Sequence, residues 1–201
     1  MNDIKYSACC SSDAEAVSMT CCGSDAESSS VTCCEAGTAA DQKKLRIEYL
    51  YLDLDTCDRC IGTDAVLDGV VNKLRPALSL AGYDVEYEKI EIETPELAAQ
   101  YHFLSSPTIL VNGTDLFGQV KESECVCCGQ IAGTDIDCRV FSANGETYEI
   151  PTEEILADAI LKSLSAAHAH KAESYVLPEN LRKFFEGKKE KERDCCCSCD
   201  C

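Results

Sequence analysis

Leu45-Arg46-Ile47-Glu48-Tyr49-Leu50-Tyr51-Leu52-Asp53-Leu54-Asp55-Thr56-Cys57-Asp58-Arg59-Cys60 decides how the chain is read. Leu45 to Tyr49 alternates apolar and polar side chains, the period of a strand with one buried face. Leu50 to Leu54 carries the strand on with a denser apolar run, as where both faces are covered. Asp55-Thr56 turns the chain. From Thr63 to Leu80 the apolar residues then fall at helical spacing, with Val66, Val70, Leu74 and Leu78 on one line and Leu67 and Val71 beside it. Cys57 and Cys60 therefore stand where a strand hands over to a helix.

Working outward, Pro76 is placed to kink the helix, and Gly82 fits its stop. Tyr83 to Ile92 reads as a second strand with Val85, Tyr87, Ile90 and Ile92 among its apolar residues. Thr94-Pro95-Glu96 starts a short helix, with Thr as cap and Pro at the first position, ending near Phe103. Ser105-Ser106-Pro107 leads into a third strand, Thr108 to Val111, ended by Asn112-Gly113. A long loop follows, carrying Cys125, Cys127, Cys128 and Cys138. Val140-Phe141 and Thr147 to Ile150 flank Ser142-Ala143-Asn144-Gly145-Glu146, a hairpin pattern. Pro151-Thr152-Glu153-Glu154 opens a last helix through Ile155, Leu156, Ile160, Leu161 and Leu164. Leu181, Phe184 and Phe185 suit one or two amphipathic turns, and Gly187 to Asp194 reads as a solvated charge run.

This order resembles the thioredoxin superfamily. Cys57-x-x-Cys60 straight after the first strand and Ser106-Pro107-Thr108-Ile109 at the start of the third carry the resemblance. More narrowly, the domain is similar to an uncharacterised prokaryotic family with a thioredoxin-like fold, in which the Cys-rich loop and the Cys138-Arg139 step recur. The resemblance implies an α/β fold with a central mixed sheet flanked by helices, and a cis Pro107 facing the dithiol. It also implies catalytic roles for Cys57, Cys60 and Pro107. The chain departs from thioredoxin itself: Asp55-Thr56 replaces the aromatic residue before the motif, Asp58-Arg59 replaces Gly-Pro, and there is no Trp. General protein-disulfide reduction is therefore not implied.

The chain has 201 residues, 17 of them cysteine, and a formal net charge of -18. So acidic a surface repels nucleic acid and anionic lipid, which excludes both as partners. No apolar run is long enough to cross a bilayer. Met1 to Cys10 lacks the basic-then-apolar pattern of a secretory signal, so the cytoplasm is the expected compartment. In a reducing compartment this many cysteines point to metal binding or thiol chemistry rather than a disulfide scaffold. Residues 1–42 hold three Cys-Cys pairs, Cys9-Cys10, Cys21-Cys22 and Cys33-Cys34, spaced 12 residues apart in Ser/Ala/Asp/Glu filler. Such filler cannot offset its ordering entropy by burial, so disorder is expected there. The expected organisation is a disordered Cys-Cys repeat over 1–42, a thioredoxin-like domain over 43–166, and a charged linker with a Cys-rich tail over 167–201.

The cysteines divide by the chemistry they permit. A helix N-terminus favours a thiolate at Cys57, with Arg59 helping and Asp58 opposing. Cys60, shielded in the first turn, would resolve a mixed disulfide made by Cys57. The rival readings are a two-thiolate clamp for a soft ion and a pair of inert buried thiols. Adjacent cysteines disulfide-bond only with strain, so the three pairs and the terminal Cys195, Cys196, Cys197, Cys199 and Cys201 suit thiophilic ions such as As(III), Hg(II), Cu(I) or Zn(II). A low-complexity expansion without a role is the plainer alternative. Cys125-x-x-Cys128 has metal-knuckle spacing, but zinc takes four ligands. Cys138 offers a third, and Cys127 or a residue elsewhere would supply the fourth. Three thiolates alone would suit arsenite or mercury, and a structural disulfide is the remaining option. His102 reads as a packing or surface residue. His168 and His170, two apart, do not chelate together on a helix.

The function expected is a thioredoxin-like thiol protein that handles thiophilic metal or metalloid ions through its CxxC dithiol and vicinal-cysteine tails. The alternatives are a thiol-disulfide oxidoreductase for a small or protein disulfide, the only enzyme class indicated, and a passive soft-metal store. The expected partners are a thiophilic ion or a disulfide substrate, with a metal transporter or thiol reductase as protein partner. No organic cofactor is indicated.

Overall fold

The computed structural model describes residues 43–165 and 174–197, with side chains described as far as Arg193. The disorder expected over 1–42, the three Cys-Cys pairs, His168, His170 and the terminal cysteine side chains lie outside the described residues. In chain order the elements are β1 (Lys43–Tyr51), α1 (Asp58–Leu80), β2 (Tyr83–Glu91), α2 (Pro95–Gln100), β3 (Thr108–Val111) and β4 (Thr114–Asp115). Then follow β5 (Lys121–Glu124), α3 (Val126–Ala132), β6 (Asp137–Ala143), β7 (Glu146–Tyr148), α4 (Glu153–Ser163) and α5 (Glu179–Cys197).

The fold is mixed α/β, with helix-flanked sheets. β1 runs parallel to β2, Lys43 opposite Tyr83, and α1 is the crossover such a pair requires. On its other side β1 pairs antiparallel with β3, which pairs antiparallel with β4, giving the order β2-β1-β3-β4. The strand period sorts the core into two layers. Leu45, Ile47 and Tyr49 of β1, with Val85, Ile109 and Val111, face Leu67, Val70 and Val71 of α1 and Leu156 and Ile160 of α4. The even-numbered Leu50 and Leu52, with Ile92 and Leu110, face Ala98, Phe103 and the side chains of α3 and α5. All the cysteines with described side chains that are buried belong to this second layer.

Local chemistry places the element ends. Thr94 and Thr152 cap α2 and α4, accepting from the Leu97 and Ile155 N–H groups. Gly82 follows the end of α1 at φ +84°, the left-handed conformation a helix stop demands. Asn144 and Gly145, both at positive φ, form the two-residue turn between β6 and β7, with Ala143 opposite Glu146. The Ser106–Pro107 peptide is cis.

α1 begins at Asp58 with Cys57 in the N-cap position, the helix N-terminus at which the sequence reading placed Cys57, although its polar first turn lies outside the apolar spacing. The structure revises the sequence reading in two places. The long loop expected before Val140 is folded, holding β4, β5, α3 and the start of β6. Lys121-Glu122-Ser123-Glu124 pairs along β6 as a polar edge strand, with no alternation to betray it. The one or two turns expected around Phe184 extend to the 19 residues of α5. Leu181 and Phe184 are 1% exposed, so this helix docks on the domain and its charges face outward.

Candidate thiolate centre

Two stretches of chain with the same spacing build the site. In the first, β1 ends and Asp53 turns back, its Oδ1 accepting from the N–H groups of Thr56 at 2.6 Å and Cys57 at 3.0 Å. That fixes Cys57 as the N-cap of α1, with Cys60 in the first turn. Tyr49, wholly buried, donates its hydroxyl to the Cys60 carbonyl at 2.7 Å and holds the turn from below. In the second, Cys125 is the N-cap of α3 and Cys128 lies in its first turn, the Cys125 N–H bonded to the Ile136 carbonyl at 2.8 Å. Cys138, the second residue of β6, stands opposite Ser123 of β5.

These elements bring the sulfurs of Cys57, Cys125, Cys128 and Cys138 together, all within 4.8 Å of one another and all buried. The Sγ–Sγ distances are 3.9 Å for Cys57 and Cys125, 3.6 Å for Cys57 and Cys128, and 3.3 Å for Cys128 and Cys138. A tetrahedral ion with sulfur ligands at about 2.3 Å sets its sulfurs about 3.8 Å apart. A disulfide needs roughly 2.05 Å, and all six cysteines with described side chains are free thiols. The spacing therefore fits ligation and not a bond, and the loop disulfide is not formed. The fourth sulfur beside Cys125, Cys128 and Cys138 is that of Cys57, which the sequence reading paired with Cys60 for redox chemistry or for a two-thiolate clamp.

Cys60 and Cys127 stand outside the set. The Cys60 sulfur lies 3.3 Å from the Ser106 hydroxyl, which itself accepts from the Leu52 N–H at 3.1 Å. Cys127, the only half-exposed thiol of the six, has its sulfur 3.8 Å from an Asp58 carboxylate oxygen. Pro107 is buried, and Ser106 before it accepts from the Arg139 N–H at 2.7 Å, tying the cis peptide to the residue after Cys138.

Three anchors hold the two stretches together. Arg59, between the motif cysteines and 7% exposed, donates to the carbonyls of Cys138 at 2.8 Å, Glu124 at 3.2 Å and Ser123 at 3.3 Å, and pairs with Glu149 at 2.7 Å. Its guanidinium is thus committed to the backbone that carries Cys125 and Cys138, rather than to the Cys57 thiolate as the sequence suggests. Arg139, fully buried, makes a two-pronged pair with Asp115 at 2.6 and 2.9 Å and donates to the Thr108 hydroxyl. From α5, the Asn180 amide clamps both the N–H and the carbonyl of Asp137, next to Cys138. Gly187 lies so close to the Ala132 carbonyl at the end of α3 that any side chain there would collide with it. Asp53 could have been read as a turn-forming carboxylate four residues before Cys57. Nothing local marks Asn180.

Charge collects at Cys57. Thiols of Cys125, Cys128, Cys138 and Cys60 hydrogen-bond toward it and hold its titration well below the usual thiol range. Cys125 is lowered to about 7 by the thiols of Cys128 and Cys138. Cys60, Cys128 and Cys138 are pushed up, Cys60 by the neighbouring Cys57 and by burial, the other two first by Cys125. The arrangement therefore favours a thiolate at Cys57 over the neighbouring thiols. A cleft of about 260 Å³ is lined by Cys125, Val126 and Gly129. A larger cleft of about 680 Å³ near Phe117, Tyr148 and Asp158 has no cysteine in its lining.

Residues 45–160 match the family described as domain of unknown function (DUF2703). An uncharacterised protein of Archaeoglobus fulgidus is 31% identical over 117 residues, which cover 56% of this chain and 82% of that protein. No solved structure matches. Among the described residues no helix is long and apolar enough to cross a membrane.

Proposed function

The chain belongs to the DUF2703 family, and for it we propose a thiol protein that handles a thiophilic metal or metalloid ion at the centre formed by Cys57, Cys125, Cys128 and Cys138. The observation that carries the proposal is the convergence of four buried sulfurs from three separate parts of the chain. Cys57 and Cys125 are 68 residues apart, and apolar packing alone gives no reason for four thiols to meet. Ions that prefer thiolate sulfur, among them Zn(II), Cd(II), Hg(II) and As(III), suit this donor set. The dianionic complex of a divalent ion with four thiolates needs compensating charge. The N-terminus of α1, where Cys57 stands, supplies part of it. In this reading the vicinal cysteines of both tails gather ions and pass them inward. The sheet order, the parallel β1–α1–β2 unit and the motif at the start of α1 support a thioredoxin-like ancestry for the domain.

The oxidoreductase alternative draws on the same motif. It has against it that Cys57 and Cys60 are both 0% exposed, covered by the β5–α3–β6 segment, so a protein disulfide has no face to approach. Native mass spectrometry of the reduced full-length chain tests the proposal. With all eleven cysteines outside residues 43–165 changed to Ser, one Cd(II) per chain is expected. Cys57→Ser or Cys138→Ser should lose it, and Cys127→Ser should keep it. Retention in Cys138→Ser with loss in Cys60→Ser would replace the four-thiolate centre with a two-thiolate clamp. More ions on the unmodified chain would place the tails among the ligands.

A further inference from the structure

We infer that Cys60 and the ion compete for Cys57, so that a Cys57–Cys60 disulfide strips one ligand from the centre and a bound ion holds the pair reduced. This rests on the reading of the four sulfurs as an ion site. Cys57 belongs to two sets at once. It is 3.6 and 3.9 Å from Cys128 and Cys125, and it is the first cysteine of a CxxC turn whose second cysteine is not a ligand. Cys60 is buried and outside the four-sulfur set, its sulfur near Cys57 and 3.3 Å from the Ser106 hydroxyl. Cys127 is the other uncommitted thiol. Its sulfur lies toward the Asp58 carboxylate, and a bond to its neighbour Cys128 would be strained. A disulfide between Cys128 and Cys138, though those sulfurs are 3.3 Å apart, would take two ligands from the ion at once. Pairing Cys57 with Cys60 takes one.

The chemistry balances with a small-molecule disulfide as oxidant. The Cys60 sulfur attacks it and releases one thiol, which takes the Cys60 proton. The Cys57 sulfur, carrying the electron pair of its bond to the ion, then attacks the mixed disulfide and releases the second half as a thiolate. The oxidant leaves as two reduced thiols, Cys57 and Cys60 are joined, and the ion keeps three sulfurs. Whatever factor the disulfide costs in ion affinity, the ion costs the disulfide by the same factor, because the two equilibria share one cycle. A four-coordinate ion is released under oxidising conditions and retained under reducing ones.

The test uses the full-length chain with the eleven outer cysteines changed to Ser, Cd(II) as the ion, and glutathione redox buffers. Trypsin cuts after Arg59, so the disulfide is read as peptides 47–59 and 60–73 joined. Oxidation should lower Cd(II) affinity at least 100-fold. Saturating Cd(II) should shift the midpoint of disulfide formation by the same factor, about 60 mV toward more oxidising buffer. Cys60→Ser should bind Cd(II) within a few-fold of the parent and ignore the same buffers. Cd(II) retained after the peptides have joined, or lost as readily from Cys60→Ser, overturns the inference. If Cys60→Ser does not fold, the midpoint shift in the parent decides alone. Failure of the reduced parent to bind Cd(II) at all overturns the ion-site reading, and the inference falls with it.

Discussion

Two turns in this molecule are near copies. Cys57-x-x-Cys60 and Cys125-x-x-Cys128 each place the first cysteine as a helix N-cap and the second in the first turn. Neither first cysteine caps its helix with its own sulfur. Yet the α3 turn gives both sulfurs to the centre and the α1 turn gives one. The difference lies in what stands beside the second cysteine. Cys138 on β6 meets Cys128 at 3.3 Å, whereas Cys60 meets a serine hydroxyl from the cis-proline segment. Spacing makes a chelating pair available, and the neighbouring strand decides whether it is used.

The largest effect should come from breaking that asymmetry directly. Structural zinc sites bind with roughly 10–16 kcal/mol over four ligands, so each thiolate is worth on the order of 3 kcal/mol, about 100-fold in affinity. Cys128→Ser should therefore weaken Cd(II) binding by about that factor, and the equivalent Cys60→Ser by less than about threefold. Competition with a chelator under reducing conditions measures both. Equal losses would make the two turns equivalent after all.

Arg59 offers a second way to separate them, since the α1 turn has a cation between its cysteines and the α3 turn has Val126 and Cys127. Hydrogen bonds to a charged group contribute about 1.5–3 kcal/mol each, partly offset by desolvation. Arg59→Ala removes the bonds to three carbonyls and to Glu149 and should cost about 2–3 kcal/mol in urea unfolding of the ion-free protein. Arg59→Lys should recover only part, because an ammonium cannot span three carbonyls and Glu149. Unchanged stability in Arg59→Ala would mean that the turns are held by the core alone.

The smallest effect is in pH. Cys125 titrates near 7 in the empty centre, while Cys57 is ionised well below that. Above pH 7 an ion meets both as thiolates and displaces no proton from either. Below pH 7 it must displace one from Cys125, so affinity should fall by an extra tenfold per pH unit there. Protons from Cys128 and Cys138 leave on both sides of 7 and do not alter this change of slope. Chelator competition at pH 6 and pH 8 checks it. The extra dependence should vanish in Cys125→Ser and persist in Cys60→Ser.

What the sequence told, and what it withheld, follows the range of the interactions. β1, β2, β3, the cap Thr94, the helix start at Pro151 to Glu154, the stop at Gly82 and the hairpin turn within Ser142 to Glu146 are written in neighbouring residues and were legible. β5 was not, since Lys121-Glu122-Ser123-Glu124 is an edge strand with no buried face to alternate. α3 was not, since two of its seven residues are cysteines, and a helix that short carries no period. The three loop ligands could be named from their spacing. The fourth could not, because Cys57 reaches them through the β1–α1 handover and the Arg59 bridge, which only tertiary structure supplies. The length of α5 was hidden by its charges, and Asn180, which steadies the Cys138 end of β6, looks like any surface amide.

The close seat of α5 on α3 has a thermodynamic consequence. A seven-residue helix is well below the length at which a helix holds itself in water, so α3 on its own would exist as a fluctuating segment. Gly187 lets the α5 backbone come against Ala132, Leu181 and Phe184 fill the layer beneath, and Lys191 reaches the Gln130 carbonyl. The conformational entropy of the ligand-bearing segment is thus lost when the protein folds, before any ion is present. Binding need not fold the segment, and the ion should meet a rigid cage whose heat-capacity change on loading is small. In a zinc finger, by contrast, the metal and the fold arrive together.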